Sequence, residues 1–196
     1  MLLDGDAGNI TEEQEVYLKE IYKGNQRMVE LVNAMLNVSR LELGSFSIEP
    51  IKLNVKDLLK NVVNEINPLI KEKKQKIEES YQDKISTIKH DPSLLNIVFQ
   101  NIISNAVKYT PSGGKMKISV SRVKKGEIIY QKKINKDALM VVVSDSGYGI
   151  PENQKDKIFG KLFRADNIVE KDTEGTGLGL YIVKSIMEQS GGEVWF

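Results

Sequence analysis

Residues 91–122 read DPSLLNIVFQNIISNAVKYTPSGGKMKISVSR, and the change of pattern inside them decides the fold. Asp91 followed by Pro92 is a helix start: a side-chain cap, then a residue whose missing N–H would have no partner at the first helical position anyway. The amphipathic helix that opens there must stop before Pro111 and Gly113, and a strand, KMKISVSR, follows. To the N-terminal side, the extended stretches FSIEPIKL, QKIEES and ISTIKH surround an amphipathic helix from about Val55 to Lys73. To the C-terminal side come a long polar connector, a buried-looking strand ALMVVVS, a short helix opened by Pro151, a charged loop, and a last helix from Leu178 to Gln189. Strands and helices mix without strict alternation. The expected class is therefore α+β, a two-layer α/β sandwich whose mixed sheet is covered by helices on one face.

Before this region, Thr11 to about Leu43 reads as one long helix, capped by Thr11 and closed by Gly44. Leu18, Ile21, Asn25, Met28, Val32, Met35 and Ser39 alternate spacings of three and four, while Tyr22, Val29, Leu36 and Leu43 repeat every seven. A stripe this wide suits a helical bundle better than packing on the helix's own domain. Two units follow: 1–44, built on the long helix, and 45–196.

Whole-chain composition narrows the function classes. With 28 basic and 27 acidic residues in 196, the net charge of +1 gives no footprint for nucleic acid, and none is expected as a partner. Cysteine is absent, which removes disulfides, thiolate metal sites and cysteine nucleophiles and agrees with a reducing compartment. No apolar run approaches the roughly 18 to 20 residues a membrane-spanning helix needs. Neither a signal peptide nor membrane contact is expected of this chain.

Three motifs carry chemistry. In DTEGTGLGLYIVKSIMEQSGG, Gly175, Gly177 and Gly179 alternate at the mouth of a helix, an arrangement that can aim successive N–H groups at a phosphate; a plain flexible loop fits equally well. It lacks the Lys-Ser/Thr of a P-loop and the preceding strand of a dinucleotide fingerprint. In VVVSDSGYGIP, Asp145 sits at a strand end before Gly147 and Gly149. Its carboxylate, an acceptor only, matches an exocyclic amine such as that of adenine, or makes an Asx-type turn. In NIISNAVKYT, Asn101, Asn105 and Lys108 share a helix face while Ile102, Ile103 and Val107 point to the core. Carboxamide oxygens suit Mg²⁺ and the ammonium suits a phosphate, although a polar helix face needs no ligand.

In chain order the three motifs resemble the N, G1 and G2 boxes of the sensor histidine kinase ATP-binding domain, of the superfamily shared with gyrase, Hsp90 and MutL. The likeness covers about Asn54 to the C-terminus and implies a Bergerat-type fold binding ATP or ADP with Mg²⁺. It implies that Asp145 accepts from the adenine amine, with Gly147, Gly149 and Ile150 shaping the pocket and Tyr109 against the nucleotide. Asn105 would ligate Mg²⁺, and Asn101 and Lys108 would face the phosphates. Gly175, Thr176, Gly177, Leu178, Gly179 and Leu180 would wrap the triphosphate. Phe159 to Glu174 resembles the F box and mobile lid, with Lys161 and Arg164 as candidates to meet the γ-phosphate. A carboxamide at Asn101, where gyrase-like ATPases carry a water-activating glutamate, implies slow hydrolysis.

The long helix then resembles the second helix of the dimerisation and phosphotransfer hairpin. The implied function is transfer of the ATP γ-phosphoryl to a histidine, for relay to an aspartate on a response regulator receiver domain. The setting would be the cytoplasmic portion of a membrane-bound bacterial sensor that dimerises through its hairpins. The sequence departs from the pattern in several places. The sole histidine, His90 in IKHDPSLL, reads as a surface residue, so no phosphoacceptor or catalytic residue is assigned within the chain, and the fragment is not expected to phosphorylate itself. MLLDGDAGN reads as the tail of the first hairpin helix. The sheet is expected to lack its final strand after GGEVWF, leaving an unpaired edge. Leu162 and Gly160 stand where the F box usually has an aromatic and an acid. The alternative function is a catalytically silent nucleotide-binding and dimerisation module that regulates another kinase.

Overall fold

The computed structural model describes residues 6, 8–43, 49–82, 87–169 and 175–196. Helix α1 (Glu12–Glu42) opens on a reciprocal cap: Gln14 N donates to Thr11 Oγ1 at 3.2 Å and Thr11 N donates to Gln14 Oε1 at 2.9 Å. The expected stop at Gly44 and the start of the FSIEPIKL stretch lie outside the described residues. Strand β1 (Ile51–Leu53) precedes helix α2 (Val55–Glu72), which buries Leu59, Val62, Val63 and Ile70 along one face. Strands β2 (Lys76–Tyr81) and β3 (Ile88–His90) lead to helix α3 (Pro92–Tyr109), whose cap Asp91 accepts from Ser93 N at 2.8 Å and Leu94 N at 3.2 Å.

Strand β4 (Lys115–Val123) is central to a three-stranded mixed sheet, parallel to β2 and antiparallel to β7 (Ala138–Asp145). Met116, Ile118 and Val120 of β4 are buried while Lys115 and Lys117 are exposed, so one face of the sheet is covered. The cover is α2, α3 and helix α5 (Gly179–Gln189), which join the sheet in one core centred on Leu59, Ile103, Ile118, Val183 and Ile186. Strands β1 and β3 form a separate antiparallel pair. A 3₁₀ turn (Glu152–Lys157) and a short helix α4 (Asp166–Val169) lie between β7 and α5.

Three expectations need correction. The polar connector after β4 contains a small hairpin, β5 (Ile128–Ile129) with β6 (Lys132–Lys133). The buried-looking ALMVVVS is an edge strand whose residues are at most half-buried, because its apolar run meets helices on one side only. Residues 192–196 form no ladder. That tail is instead held by side chains: Lys132 Nζ pairs with Glu193 at 2.7 Å and lies 4.8 Å from the Trp195 ring centroid, and Phe196 meets Phe159 with centroids 6.0 Å apart.

Among the described residues the first helix packs on the rest of the chain only toward its C-terminal end, where Leu41 is buried and its carbonyl accepts from Gln189 Nε2 at 3.0 Å. Its stripe stays open: Ile21, Met28, Val32 and Met35 are each 55–59% exposed. Among the described residues no helix is long and apolar enough to cross a membrane.

Candidate functional site

The site is assembled around the C-terminal half of α3. Asp145 stands opposite Met116 in the β4–β7 register, and paired residues share a face, so its carboxylate leaves the strand end on the helix-covered side. Gly147 N donates to Asp145 Oδ1 at 2.8 Å, which is the Asx-type turn; Oδ2 takes no hydrogen bond among the described residues. A Cβ on Gly147 would stand 2.5 Å from Asp145 Oδ1 and 2.6 Å from the Tyr109 carbonyl oxygen, so only glycine fits there. That carbonyl accepts from Tyr148 N at 3.2 Å, which docks the turn after β7 onto the end of α3.

On the other side of α3, the loop before α5 makes the matching approach. A Cβ on Gly179 would lie 2.6 Å from Asn101 Oδ1, and one on Gly175 would lie 3.4 Å from Tyr109 Oη and 3.2 Å from Arg164 Nε. Gly177 has φ +68°, and its Cβ would strike the Leu162 backbone at 2.6 Å. Leu178 N donates to Thr176 Oγ1 at 3.3 Å, and buried Leu178 fixes the start of α5, whose first N–H groups have no partner within the helix. Asn101, Asn105 and Lys108 are half-buried along α3 between these two glycine segments, and Lys108 Nζ lies 5.8 Å from the Tyr109 ring centroid. Leu180, in the first turn of α5, is half-buried, and Ile150, after Gly149, is more exposed. Gly149, at φ +68°, offers its carbonyl to Asn167 Nδ2 at 3.2 Å.

Lys161 does not join this cluster. Its ammonium pairs with Glu42 at the end of α1 and lies 5.1 Å from the Tyr181 ring centroid, with Tyr181 Oη donating to Glu42 at 3.5 Å. Hydrogen bonding and opposite charge together hold the Lys161 ammonium above and the Glu42 carboxyl below their ordinary pKa values. Lid residues 170–174 lie outside the described residues. His90 is half-buried rather than on the surface: Nδ1 is 3.1 Å from the Asp91 carbonyl, Nε2 is buried without a partner among the described residues, and the residue sits at the far, N-terminal end of α3.

Sequence reasoning missed the residues that fix α3 from below. Lys73 Nζ donates to the carbonyls of Val107 at 2.9 Å and Lys108 at 2.7 Å, and Gln75 Nε2 to those of Val107 at 3.0 Å and Thr110 at 2.6 Å. These side chains satisfy the carbonyls that a helix end leaves open. Nothing local in KEKKQK announces a partner more than 30 residues away.

Residues 90–196 match the family described as histidine kinase-, DNA gyrase B- and HSP90-like ATPase. The chain belongs to that family. Among curated relatives, the circadian input-output histidine kinase CikA of Synechococcus elongatus is 28% identical over 195 residues, covering 98% of this chain and 24% of the relative. Full-length ShkA in complex with AMPPNP superposes with TM-score 0.73 at 24% identity, over 95% of this chain and 36% of that one. Histidine kinase ThkA in complex with response regulator protein TrrA gives TM-score 0.64 at 24% identity, over 97% and 49%. The two structures show the fold. The chain spans about a quarter of the CikA relative's length. As an ATPase-family member with sensor-kinase relatives, it carries all three of the glycine, aspartate and asparagine motifs in one cluster.

Proposed function

We propose that this chain is the ATP-binding catalytic portion of a two-component sensor histidine kinase. Residues 45–196 bind the nucleotide, and 1–44 contribute the second helix of a dimerisation and phosphotransfer hairpin. The observation that carries this reading is the convergence on α3: Asp145 beside Gly147 on one flank, the Gly175–Gly179 loop on the other, and Asn101, Asn105 and Lys108 between them. The positions where a Cβ would collide leave a cradle of backbone N–H groups at the start of α5. Oδ2 of Asp145, which takes no hydrogen bond among the described residues, would accept from an adenine amine, and Ile150, Tyr109 and Leu180 would supply apolar contact.

Among the described residues no cluster of three His, Asp or Glu side chains could hold a metal, so Mg²⁺ would arrive with the phosphates and take Asn105 as its protein ligand. Bound ATP supplies the phosphoryl group. Asn101, Lys108, Arg164 and the glycine loop orient and neutralise it, with Lys161 joining once it leaves Glu42. Asn101 donates Nδ2 to the Ile97 carbonyl at 2.8 Å and has no carboxylate with which to take a proton from water, which favours transfer over hydrolysis. The acceptor is a histidine of the hairpin's first helix, and the next acceptor is a receiver-domain aspartate. The open stripe of α1 supports dimerisation through the hairpin, and the setting that goes with this reading is the cytoplasmic side of a membrane-bound sensor.

The test is a phosphotransfer assay with γ-labelled ATP, Mg²⁺ and a separately supplied histidine-bearing hairpin from a sensor kinase. Acid-labile label on the hairpin, with none on this chain alone, is expected. Nucleotide binding without any transfer would instead support the silent regulatory module, for which the engagement of Lys161 by Glu42 already speaks.

A further inference from the structure

At the end of the sheet opposite Asp145, where Val123 pairs with Ala138, the β5–β6 hairpin projects a tip that the nucleotide reading leaves unexplained. Its two-residue loop, Tyr130 and Gln131, sits at φ +48° and +65°. Two left-handed residues in succession are the geometry that Asn-Gly supplies cheaply, and a bulky aromatic there is strained. Tyr130 therefore does not serve the turn, and at 72% exposure it does not serve the core either; Ile128 beside it is 73% exposed.

The hairpin has two different faces. Ile129 and its partner Lys132 turn inward, where Lys132 clasps Glu193 and Trp195. Ile128 and its partner Lys133 turn outward with Tyr130. Residues 122–137 carry six basic side chains and two acidic, Glu127 and Asp137, the latter accepting from Lys125 N at 2.8 Å, although the whole chain is balanced at +1. Lys124, Lys125 and Lys133 are exposed and form no ion pair among the described residues.

We infer that the 124–133 hairpin docks on an anionic bilayer surface, its apolar tip entering the interface and its lysines meeting lipid phosphates. A specific protein–protein contact covers about 800 Å² on each partner, far more than a two-side-chain tip offers, and it needs a matching pocket. A bilayer conforms to a convex knob, accepts tyrosine at its interface and attracts clustered lysines. This departs from the expectation of no membrane contact, which rested on whole-chain balance and so averaged out a local patch. The inference does not depend on nucleotide binding, because the hairpin lies at the opposite end of β4 and β7.

The experiment is co-sedimentation of this chain with phosphatidylcholine vesicles, with and without phosphatidylglycerol, at low and physiological salt. Partition onto the anionic vesicles is expected to exceed that onto neutral ones by about tenfold or more and to weaken with salt. Ile128→Thr with Tyr130→Asn should abolish most of it. Asn tolerates the left-handed turn, so the same variant should melt no lower than the parent, which separates loss of binding from loss of fold. Replacing Lys124, Lys125 and Lys133 by Gln should cost about tenfold or more in partition. Equal binding to neutral vesicles, binding that survives the tip variant, or no sedimentation at all would overturn the inference. So would retention on immobilised polyglutamate without vesicle binding, which would point to an acidic protein surface.

Discussion

At Asp145 one carboxylate oxygen accepts from Gly147 N at 2.8 Å, which makes the turn of VVVSDSGYGIP and leaves the other oxygen for the proposed adenine contact. Asp145→Asn keeps an acceptor for that N–H but presents a donor to an adenine amine. It should cost about 1–3 kcal/mol in nucleotide affinity, about five- to 150-fold, with little change in melting temperature. Displacement of a fluorescent ADP analogue measures the first and a thermal scan the second. Gly147→Ala differs because its Cβ meets two oxygens below 3 Å; it should lose both affinity and about 1–3 kcal/mol of stability. Gly149→Ala has open space and only the left-handed φ against it, about 1–2 kcal/mol. The sequence marked these glycines alike, and only their neighbours separate a steric requirement from a conformational one.

Asp91, the cap of α3, is buried, which alone would raise its pKa, yet three backbone N–H donors, from Glu49, Leu94 and Ser93, and neighbouring His90 hold it below the usual range. A depressed carboxyl stabilises fully above its unfolded pKa of about 3.9, and that contribution disappears as pH falls through the lower folded value. Asp91→Ala should therefore cost about 1–2 kcal/mol at neutral pH, with the gap to the parent closing below about pH 4 in urea melts.

Among the elements, α3 was legible almost to the residue, because its cap, its period and its proline stop are all local. The hairpin inside the polar connector was not, since Tyr-Gln carries no turn signal, and the tail GGEVWF looked like a strand because its alternation says nothing about whether a partner edge is within reach. Lys161 shows the same limit for the site. Basic residues in a lid are legible, but Glu42 lies 119 positions away. Since one ammonium cannot serve Glu42 and a γ-phosphate at once, Glu42→Gln should tighten ATP binding and leave ADP binding unchanged. Equal effects on both nucleotides would place Lys161 outside the phosphate site. The pair is exposed, so melting temperature should hardly move.

For the whole molecule, the α/β layers were legible in the mixed helix and strand patterns, but how lightly α1 rests on them was not. An apolar stripe that remains more than half exposed at Ile21, Met28, Val32 and Met35 should drive self-association. Sedimentation velocity is expected to show concentration-dependent dimerisation that Ile21→Glu with Met28→Glu removes, without shifting the melting of the catalytic layers. The central claim, a nucleotide site built around α3, is tested most directly by calorimetric titration of this chain with ADP, with and without Mg²⁺, at two temperatures. One saturable site per chain that tightens with Mg²⁺ is expected. A folded chain that binds no ADP at either temperature would contradict it.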